Sequence, residues 1–359
     1  MKAAVFHAAH DVRIEEVVDP SPPRADELVL KVTRAAICGT DAAEWDHGPV
    51  LCRPGVVLGH EFVGRVVDVG PEVTGYRVGD RVVSGAGISC GRCHWCLRSR
   101  TNLCAEYRTL GLQVDGGLAE YVTSPAGICH LVPDSCDDDA AVMTQPLAVA
   151  LHALSRVAQR PEESVAVIGV GGIGAFIVAG AGRRAVDGRV VAIDIDAERL
   201  STASALGADE VFDATGHELA ALLQELTEGV GFDVVIEASG AAHAPAAATV
   251  GVRRGGRVLL LGLHAAPREL DLTRMIVREV DVVTSVAHIC DSDIPAALEV
   301  LADSDVAAVT AGPTIPLDAL VDEGLRPLVE GRAGGKILIA PNGEPEVTPL
   351  EPGTVAGVT

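Results

Sequence analysis

The stretch that decides the fold is SVAVIGVGGIGAFIVAGAGRRAVDGRVVAIDID, residues 164–196. An apolar run at 165–168 predicts a buried strand of a parallel sheet, and a second run at 190–193 predicts the next strand. Between them, a glycine-rich turn leads into a small, apolar segment at 173–185 that predicts a helix. Strand, turn, helix and strand in this order make a βαβ unit, which indicates an α/β fold with a doubly wound parallel sheet.

The glycine-rich turn has the spacing of a dinucleotide-binding site. Gly169 permits a tight turn, Gly171 lets backbone approach a pyrophosphate, and Gly174 lets the helix pack closely on the strand. Asp194 ends the second strand, where a carboxylate accepts hydrogen bonds from an adenosine ribose and repels a 2′-phosphate. An ordinary βαβ unit is the alternative. We predict an NAD site formed by Gly169, Gly171, Gly172, Ile173, Gly174 and Asp194.

Composition excludes several classes of partner. The chain has 359 residues, which is enough for two domains and a large core. Its net charge of −22 argues against nucleic acid and against anionic membrane surfaces. No run of about 18 apolar residues lacks glycine or charge, and the N-terminus turns charged too early for a secretory signal. We therefore expect a cytoplasmic protein.

The sequence pattern changes along the chain, which predicts two domains. Residues 1–150 are rich in turns and short alternating runs, which is typical of a mostly-β domain. Residues 151–290 alternate strands with alanine-rich helices. Residues 291–342, with a helix predicted at 317–330, are expected to return to the first domain. Residues 343–359 have no periodicity and are expected to be a loose tail.

Four cysteines follow the spacing C-x2-C-x2-C-x7-C, and they are Cys90, Cys93, Cys96 and Cys104. In a chain without an export signal, such density indicates metal rather than disulfides. Four thiolates suit a closed tetrahedral zinc site, which orders the loop of residues 88–106 and leaves no open position for catalysis. An iron–sulfur cluster and free structural cysteines are the alternatives.

A cysteine, a histidine and a carboxylate indicate a second metal site. Cys38 follows a predicted strand and His60-Glu61 precede another, with a predicted loop at 45–56 between them. These ligand types leave room for a fourth, exchangeable ligand. An open zinc polarises a carbonyl and lowers the pKa of a bound alcohol, as hydride transfer requires. Ordinary packing or surface residues remain an alternative for this cysteine and histidine.

Together these motifs resemble the medium-chain, zinc-containing alcohol dehydrogenases. Cys38-Gly-Thr-Asp41, Gly59-His60-Glu61, the four-cysteine loop and Gly169–Gly174 occur in the same order in that family. The likeness spans about residues 1–340 and is closer to the polyol branch, which includes the sorbitol, butanediol and threonine dehydrogenases. The resemblance implies a GroES-like catalytic domain with a zinc lobe beside a Rossmann domain.

The resemblance implies roles for the residues of the second site. Cys38, His60 and Glu61 would bind the catalytic zinc. Thr40 would hydrogen-bond the substrate alcohol and start a proton relay. Asp41 would orient His60 through its other ring nitrogen. A simple turn pair is the alternative for Thr40 and Asp41.

The chain also departs from the family pattern. Gln145, a neutral and poor zinc ligand, stands where the polyol branch usually has a glutamate. Ala43 stands where many relatives carry a relay histidine, and His47 is either a substitute or a surface histidine. Arg199 lies in a short sequence segment that NAD-using relatives share, and it would flank the adenine.

We therefore expect an NAD-dependent dehydrogenase with two zinc ions per subunit. Its substrate would be a secondary alcohol, such as a diol, polyol or sugar-like compound, or the matching ketone. A reductase of this scaffold without catalytic zinc is one alternative, and a non-catalytic NAD-binding sensor is another. The resemblance also implies a homo-oligomer, a dimer or a tetramer, and the net charge argues against nucleic-acid and membrane partners.

Overall fold

The first part of the chain folds mainly into short strands. A computed structural model describes residues 1–264 and 266–343, so nearly all of the expected tail lies outside the described residues. The strands of this part are β1 (Lys2–Ala8), β2 (Asp11–Glu16), β3 (Glu27–Ala36), β4 (Glu61–Val69), β5 (Arg81–Ser84), β6 (Gly87–Ile88), β7 (Arg108–Thr109), β8 (Tyr121–Pro125) and β9 (Cys129–Leu131). Its helices are α1 (Gly39–His47), α2 (Asp138–Ala141) and α3 (Thr144–Val157), with 3-10 turns at Cys96–Arg98, Thr101–Leu103 and Ala126–Ile128.

A parallel sheet forms the second part. Its strands are β10 (Ser164–Ile168), β11 (Arg189–Asp194), β12 (Glu210–Asp213), β13 (Phe232–Glu237), β14 (Val252–Leu260) and β15 (Asp281–Thr284). The connecting helices are α4 (Gly172–Arg184), α5 (Ala197–Ala205), α6 (Leu219–Glu225), α7 (Ala244–Gly251) and α8 (Leu272–Ile276). The spatial order β12-β11-β10-β13-β14-β15 reverses at β10, and ligands of doubly wound sheets bind at such a switch point. The predicted fold class is confirmed.

The chain after β15 returns to the first sheet. Its elements are α9 (Cys290–Ala302), α10 (Val306–Thr310), β16 (Ala311–Pro316), α11 (Arg326–Val329) and β17 (Lys336–Ala340). The first sheet has the order β16-β17-β3-β4-β5-β9, with β8 paired to β3. Leu338 of β17 pairs with Ala36 of β3, so the last strand lies beside the strand that leads to Cys38. Two smaller sheets are formed by β1 with β2 and by β6 with β7.

The expected loop at 45–56 was wrong at its start, because α1 continues through His47. The Asp41 side chain accepts a hydrogen bond from the backbone N–H of Cys38 and so caps the helix. Trp45 is buried and packs its ring edge-on against another ring of the first domain, which stabilises the last turn.

The helix expected at 317–330 is helical but not continuous. It begins as a 3-10 turn at Leu317–Ala319, widens into a π-helical turn at Leu320–Leu325 and ends as α11. A Cβ on Gly324 would lie 2.4 Å from the side chain of Ile37. The wide turn therefore brings a glycine backbone against the first sheet, a contact that helical periodicity does not reveal.

One hydrophobic core joins the two parts. It includes Val63 and Val83 from the first sheet, Leu147 from α3, and Val167 and Ile177 from the parallel sheet and its helix. Most of α3 is buried, and it packs on α4 and α9. The two sheets are therefore held in a defined relation by α3. Among the described residues, no helix combines the length and the apolar character needed to cross a membrane.

Candidate active site and metal centres

The turn after β10 has the geometry of a phosphate-binding turn. Gly169 has a φ of +82°, and a Cβ there would lie 2.6 Å from the backbone that follows β13. A Cβ on Gly174 would lie 1.9 Å from the carbonyl oxygen of Gly169. Gly171 caps α4, whose first residues are Gly172 and Ile173, so unpaired N–H groups of the first helical turn lie here. Only glycine fits at positions 169 and 174.

Asp194 ends β11 beside this turn and is 8% exposed. Its Oδ2 accepts a hydrogen bond from the N–H of Val170 at 2.8 Å, and its Oδ1 accepts one from the N–H of Ile195 at 2.7 Å. The role predicted for Asp194 from the sequence was ribose binding alone. In the structure its carboxylate also fixes the turn. Arg199 approaches from α5, and its guanidinium would lie 3.3 Å from a Cβ on Gly171.

A buried carboxylate that the sequence analysis missed lies at the same sheet edge. Glu237 ends β13 and is fully buried, and its Oε1 accepts hydrogen bonds from the N–H of Ser239 and of Gly240, both at 2.8 Å. Its Oε2 lies 3.4 Å from Nε2 of His264, and neither of these two atoms has a hydrogen-bond partner. A glutamate at the end of an apolar run gives no signal of burial, because strand ends are commonly exposed.

The structure brings the four cysteines of the lobe (residues 88–106) together, with their sulfur atoms all within 4.8 Å of one another. Sγ of Cys104 accepts hydrogen bonds from the N–H of Cys90 at 3.2 Å and of Glu106 at 3.3 Å. The backbone N–H of Cys96 helps to lower the pKa of Cys93 to about 6, whereas burial raises the pKa of Cys104 to about 11. Four converging sulfurs supported by N–H donors fit a closed zinc site.

The structure also brings Cys38, His60 and Glu61 together, and we call these three residues the mixed centre. One ligand atom from each lies within 4.8 Å of the other two. Ala36 of β3 pairs with Glu61 of β4, so the turn after β3, which carries Cys38, lies beside the start of β4. His60 and Glu61 are buried and Cys38 is half-buried. Oγ1 of Thr40 lies 3.7 Å from Sγ of Cys38.

Buried polar atoms without partners mark the mixed centre. Oδ1 of Asp41 lies 3.8 Å from Nδ1 of His60, which is beyond hydrogen-bond length, and neither atom has a partner. Neither carboxylate oxygen of Glu61 accepts an aligned hydrogen bond. Burial lowers the pKa of His60, but the charges of Cys38 and Asp41 outweigh it and raise that pKa to about 10. A small cation would satisfy these oxygens, so the donor set fits zinc.

Lys336 is a member of this centre that the sequence analysis missed. It begins β17, its side chain is 13% exposed, and its Nζ lies 2.5 Å from Oε2 of Glu61. Burial lowers the pKa of Lys336, but the charges of Glu61 and Cys38 outweigh it and the pKa is raised. A metal that uses Glu61 must therefore compete with an internal cation. Only the sheet register, in which Ala36 pairs with both Glu61 and Leu338, could have revealed this contact.

The positions that depart from the family pattern lie in α1 and α3. Gln145 lies in the first turn of α3 and its side chain has no hydrogen-bond partner among the described residues. Ala43 lies within α1. His47 ends α1 with its side chain 64% exposed, and its Nδ1 lies 3.3 Å from Oδ2 of Asp46. The structure therefore places His47 at the surface.

Two family models match the chain over most of its length. Residues 24–134 match the alcohol dehydrogenase GroES-like domain, and residues 172–303 match the zinc-binding dehydrogenase domain. The chain therefore belongs to the zinc-containing alcohol dehydrogenase family, and it is an oxidoreductase whose cofactors are zinc and NAD(P).

Its relatives include enzymes of polyol metabolism. A sorbitol dehydrogenase from Bombyx mori is 34% identical over 328 residues, which are 89% of this chain and 90% of that protein. The structure of 2R,3R-butanediol dehydrogenase from Bacillus subtilis matches with a TM-score of 0.86 at 27% identity, over 95% of this chain and 99% of that one. A protein from Sinorhizobium meliloti, assigned as a zinc-binding dehydrogenase and bound to NADP, matches with a TM-score of 0.87 at 29% identity over the same shares.

Proposed function

We propose that the protein transfers a hydride between a secondary alcohol and NAD, and that the alcohol is a diol, polyol or sugar-like compound. The observation that carries this proposal is the mixed centre, in which a thiol, an imidazole and a carboxylate converge on one position. The phosphate-binding turn after β10 supplies the cofactor site that such an enzyme also needs.

Zinc at the mixed centre would be held by Cys38, His60 and Glu61. Zinc in such a site supplies a Lewis acid that lowers the pKa of an alcohol or polarises a carbonyl. The four cysteines of the lobe would hold a second zinc, where four protein ligands leave no open position. We therefore assign catalysis to the mixed centre and a stabilising role to the lobe.

Thr40 is the residue to which we assign proton transfer. Its hydroxyl lies at the edge of the mixed centre, 3.7 Å from Sγ of Cys38 and in the first turn of α1. A hydroxyl donates one hydrogen bond and accepts others, so it can accept the proton of the substrate alcohol while passing on its own. We assign Asp41 to orient His60, because its unpartnered Oδ1 faces the imidazole Nδ1.

NAD is the cofactor that we propose, bound over Gly169–Gly174. A 2′-phosphate would place negative charge against the buried carboxylate of Asp194. We assign Arg199, which lies over Gly171, to the adenine end of the cofactor.

Changing the charge of Asp194 tests this cofactor choice. The Asp194→Asn variant removes the charge and keeps one of the two oxygens that accept hydrogen bonds at the turn, so we expect the ratio of NADPH to NADH affinity to rise roughly tenfold. Asp213→Asn is the matched control, because Asp213 pairs with Asp194 at the end of the neighbouring strand. Fluorescence titration with both reduced cofactors measures the ratio. An unchanged ratio in Asp194→Asn would show that this carboxylate does not select the cofactor.

A reductase of this scaffold that works without zinc at the mixed centre is the second candidate. Two observations favour it. Lys336 already neutralises Glu61, and Gln145 supplies no charged ligand. In such an enzyme the internal ion pair would replace the metal, and the lobe would hold the only zinc of each chain.

Zinc content distinguishes the two candidates. Elemental analysis of protein purified without chelator should give about two zinc ions per chain, and about one in Cys38→Ser. Turnover with a panel of diols and polyols should be lost in that variant. One zinc in both proteins, with turnover of a ketone that added zinc does not change, would contradict the alcohol mechanism and support the zinc-free reductase.

We also propose a homo-oligomer, formed through the outer edge of β15. This strand is the last in its sheet, and an antiparallel pairing with its own copy about a two-fold axis is self-complementary. Exposed apolar side chains gather in the segment before, within and after it: Leu263, Leu272, Ile276, Val277, Val282 and Val286. Light scattering should give a dimer or a tetramer, and Val282→Lys should lower the assembly state. A monomeric wild type would contradict this proposal.

For the domain boundaries we propose 1–150 and 291–342 for the catalytic domain and 151–290 for the nucleotide-binding domain. The return of β16 and β17 to the first sheet supports the split first domain. We further propose the cytoplasm as its location, because none of the nine cysteines, which all lie in the described residues, is in a disulfide, as a reducing compartment would keep them.

A further inference from the structure

Asn102 extends from the four-cysteine lobe into the nucleotide-binding domain. It is 6% exposed and lies two residues before Cys104. Its Nδ2 donates a hydrogen bond to the carbonyl oxygen of Val286 at 3.0 Å and lies 3.3 Å from Nε2 of His152. Val286 follows β15 at the sheet edge where dinucleotides bind, and His152 lies in α3. A side chain of the lobe thus contacts two elements of the cofactor domain.

His152 continues this link to α9. Its Nδ1 lies 2.9 Å from Oδ2 of Asp293, and its side chain is 5% exposed. Because a carboxylate only accepts, Nδ1 carries the proton and Nε2 of a neutral imidazole is left to accept from Asn102. Both amide hydrogens of Asn102 then have acceptors, and this network sets the orientation of the amide.

Asp293 fixes the loop that joins β15 to α9. Its Oδ2 also accepts a hydrogen bond from the N–H of Ile289 at 2.7 Å. Burial raises the pKa of Asp293, but the hydrogen bonds from His152 and Ile289 outweigh it and the pKa is lowered. The loop is therefore held at Val286 by Asn102 and at Ile289 by Asp293.

The other side of this loop packs closely on the first domain. A Cβ on Gly85 would lie 2.6 Å from Sγ of Cys290, which in turn lies 3.6 Å from the carbonyl oxygen of Gly87. His288 is 1% exposed, neither of its ring nitrogens has a hydrogen-bond partner, and burial lowers its pKa to about 4. The His288 ring therefore does not fix the loop through a hydrogen bond, whereas Asn102 and Asp293 do.

We propose that Asn102 and His152 are positioning residues through which the order of the four-cysteine lobe sets the loop of residues 286–289 and thereby the affinity for the dinucleotide. An ordered lobe holds both hydrogen bonds of Asn102, and a lobe that has lost its metal releases them. The lobe then does more than stabilise its own segment, because its order affects the sheet edge where the cofactor binds. This inference rests on the proposed dinucleotide site.

Asn102→Leu tests the link, since leucine has nearly the same size and neither donor. We expect NADH to bind about tenfold more weakly, because both hydrogen bonds of Asn102 are lost and the Val286 carbonyl loses this donor, while zinc per chain stays at the wild-type value. Leu97→Ala is the control, because Leu97 lies in the same lobe with 73% of its surface exposed. Equal NADH affinity in Asn102→Leu and wild type would overturn the inference. A wild type that binds no NADH would instead overturn the proposed function.

Two variants of His152 separate positioning from packing. Glutamine can accept from Asn102 and donate to Asp293, whereas leucine fills the space and does neither. We expect His152→Gln to bind NADH within about threefold of wild type and His152→Leu about tenfold more weakly. Equal loss in both variants would show that only the ring volume matters, and would overturn the inference.

A double variant tests whether the lobe acts through Asn102. Cys93→Ser removes one ligand of the lobe, and we expect it to weaken NADH binding as Asn102→Leu does. Combined, the two changes should cost little more than either alone, because they break the same link. Effects that add fully in the double variant would show that the lobe does not act through Asn102.

Discussion

The two cysteine-containing centres differ in how the chain builds them. The lobe takes its four sulfurs from one short segment, and backbone N–H groups of that segment support them. The mixed centre takes its groups from the end of β3, the start of β4 and the start of β17. The lobe is therefore specified locally, and the mixed centre exists only once the first sheet has formed.

The difference in partners has a chemical meaning. The four thiols of the lobe converge, and four such ligands leave no coordination position open on a tetrahedral metal ion. The mixed centre has three candidate ligands and carboxylate oxygens without aligned hydrogen bonds, one of which is ion-paired with Lys336. Incomplete hydrogen bonding of this kind is common where substrates bind, because a fully satisfied site has nothing left to offer a ligand.

The largest expected effect comes from replacing one cysteine in each centre and comparing turnover with stability. Cys38→Ser should lower kcat by about a thousandfold or more, because the ligand set of the mixed centre is broken, and lower Tm less than loss of a lobe cysteine does. Cys93→Ser should lower Tm by about 5 °C or more, because the lobe loses its cross-link. Steady-state kinetics and calorimetry on both variants measure the contrast. If Cys93→Ser abolished turnover at full stability, the assignment of roles would be reversed.

Removal of one hydroxyl should have the next largest effect. Thr40→Val should lower kcat about a hundredfold, because the substrate proton loses its acceptor, while the Kd for NADH stays the same. Thr101→Val is the matched control, since Thr101 is a threonine of the lobe. Rapid-mixing kinetics with a secondary alcohol measures the step. Wild-type turnover in Thr40→Val would remove Thr40 from the mechanism.

The remaining expected effect is on stability and concerns Lys336. Lys336→Met leaves Glu61 as a buried charge without a cation, so the metal-free protein should lose about 3 kcal/mol of unfolding free energy. Added zinc should restore more stability in the variant than in wild type, because the metal no longer competes with an ammonium group. Lys31→Met, at an exposed position of the same sheet, should change neither value. Denaturant unfolding with and without zinc measures both, and equal zinc effects would show that Lys336 and the metal do not compete.

Groups that are close in sequence could be predicted, whereas contacts between distant segments could not. The turn at Gly169 and the four-cysteine lobe were predictable because their groups are close in sequence and their spacing has a direct geometric meaning. Cys38 and His60 were recognisable only as fragments until the family resemblance joined them. Lys336 was not predictable, because its contact with Glu61 depends on the register of three strands.

Local conformation was missed for a related reason. The helical turn at Trp45 and the wide turn at Gly324 are stabilised by burial within the first domain, which periodicity does not report. The hydrogen bonds of Asp194 to the turn could not be predicted from the sequence, because their donors are backbone N–H groups, which every residue except proline carries.

The position of β17 in the first sheet gives the enzyme an order of assembly. During synthesis, the strands that carry Cys38 and Glu61 emerge early, but the strand that carries Lys336 comes after the whole nucleotide-binding domain. Until then, β3 has an open edge where β17 will pair, and Glu61 has no internal cation. The ion pair between Lys336 and Glu61 can therefore form only after the nucleotide-binding domain has been made.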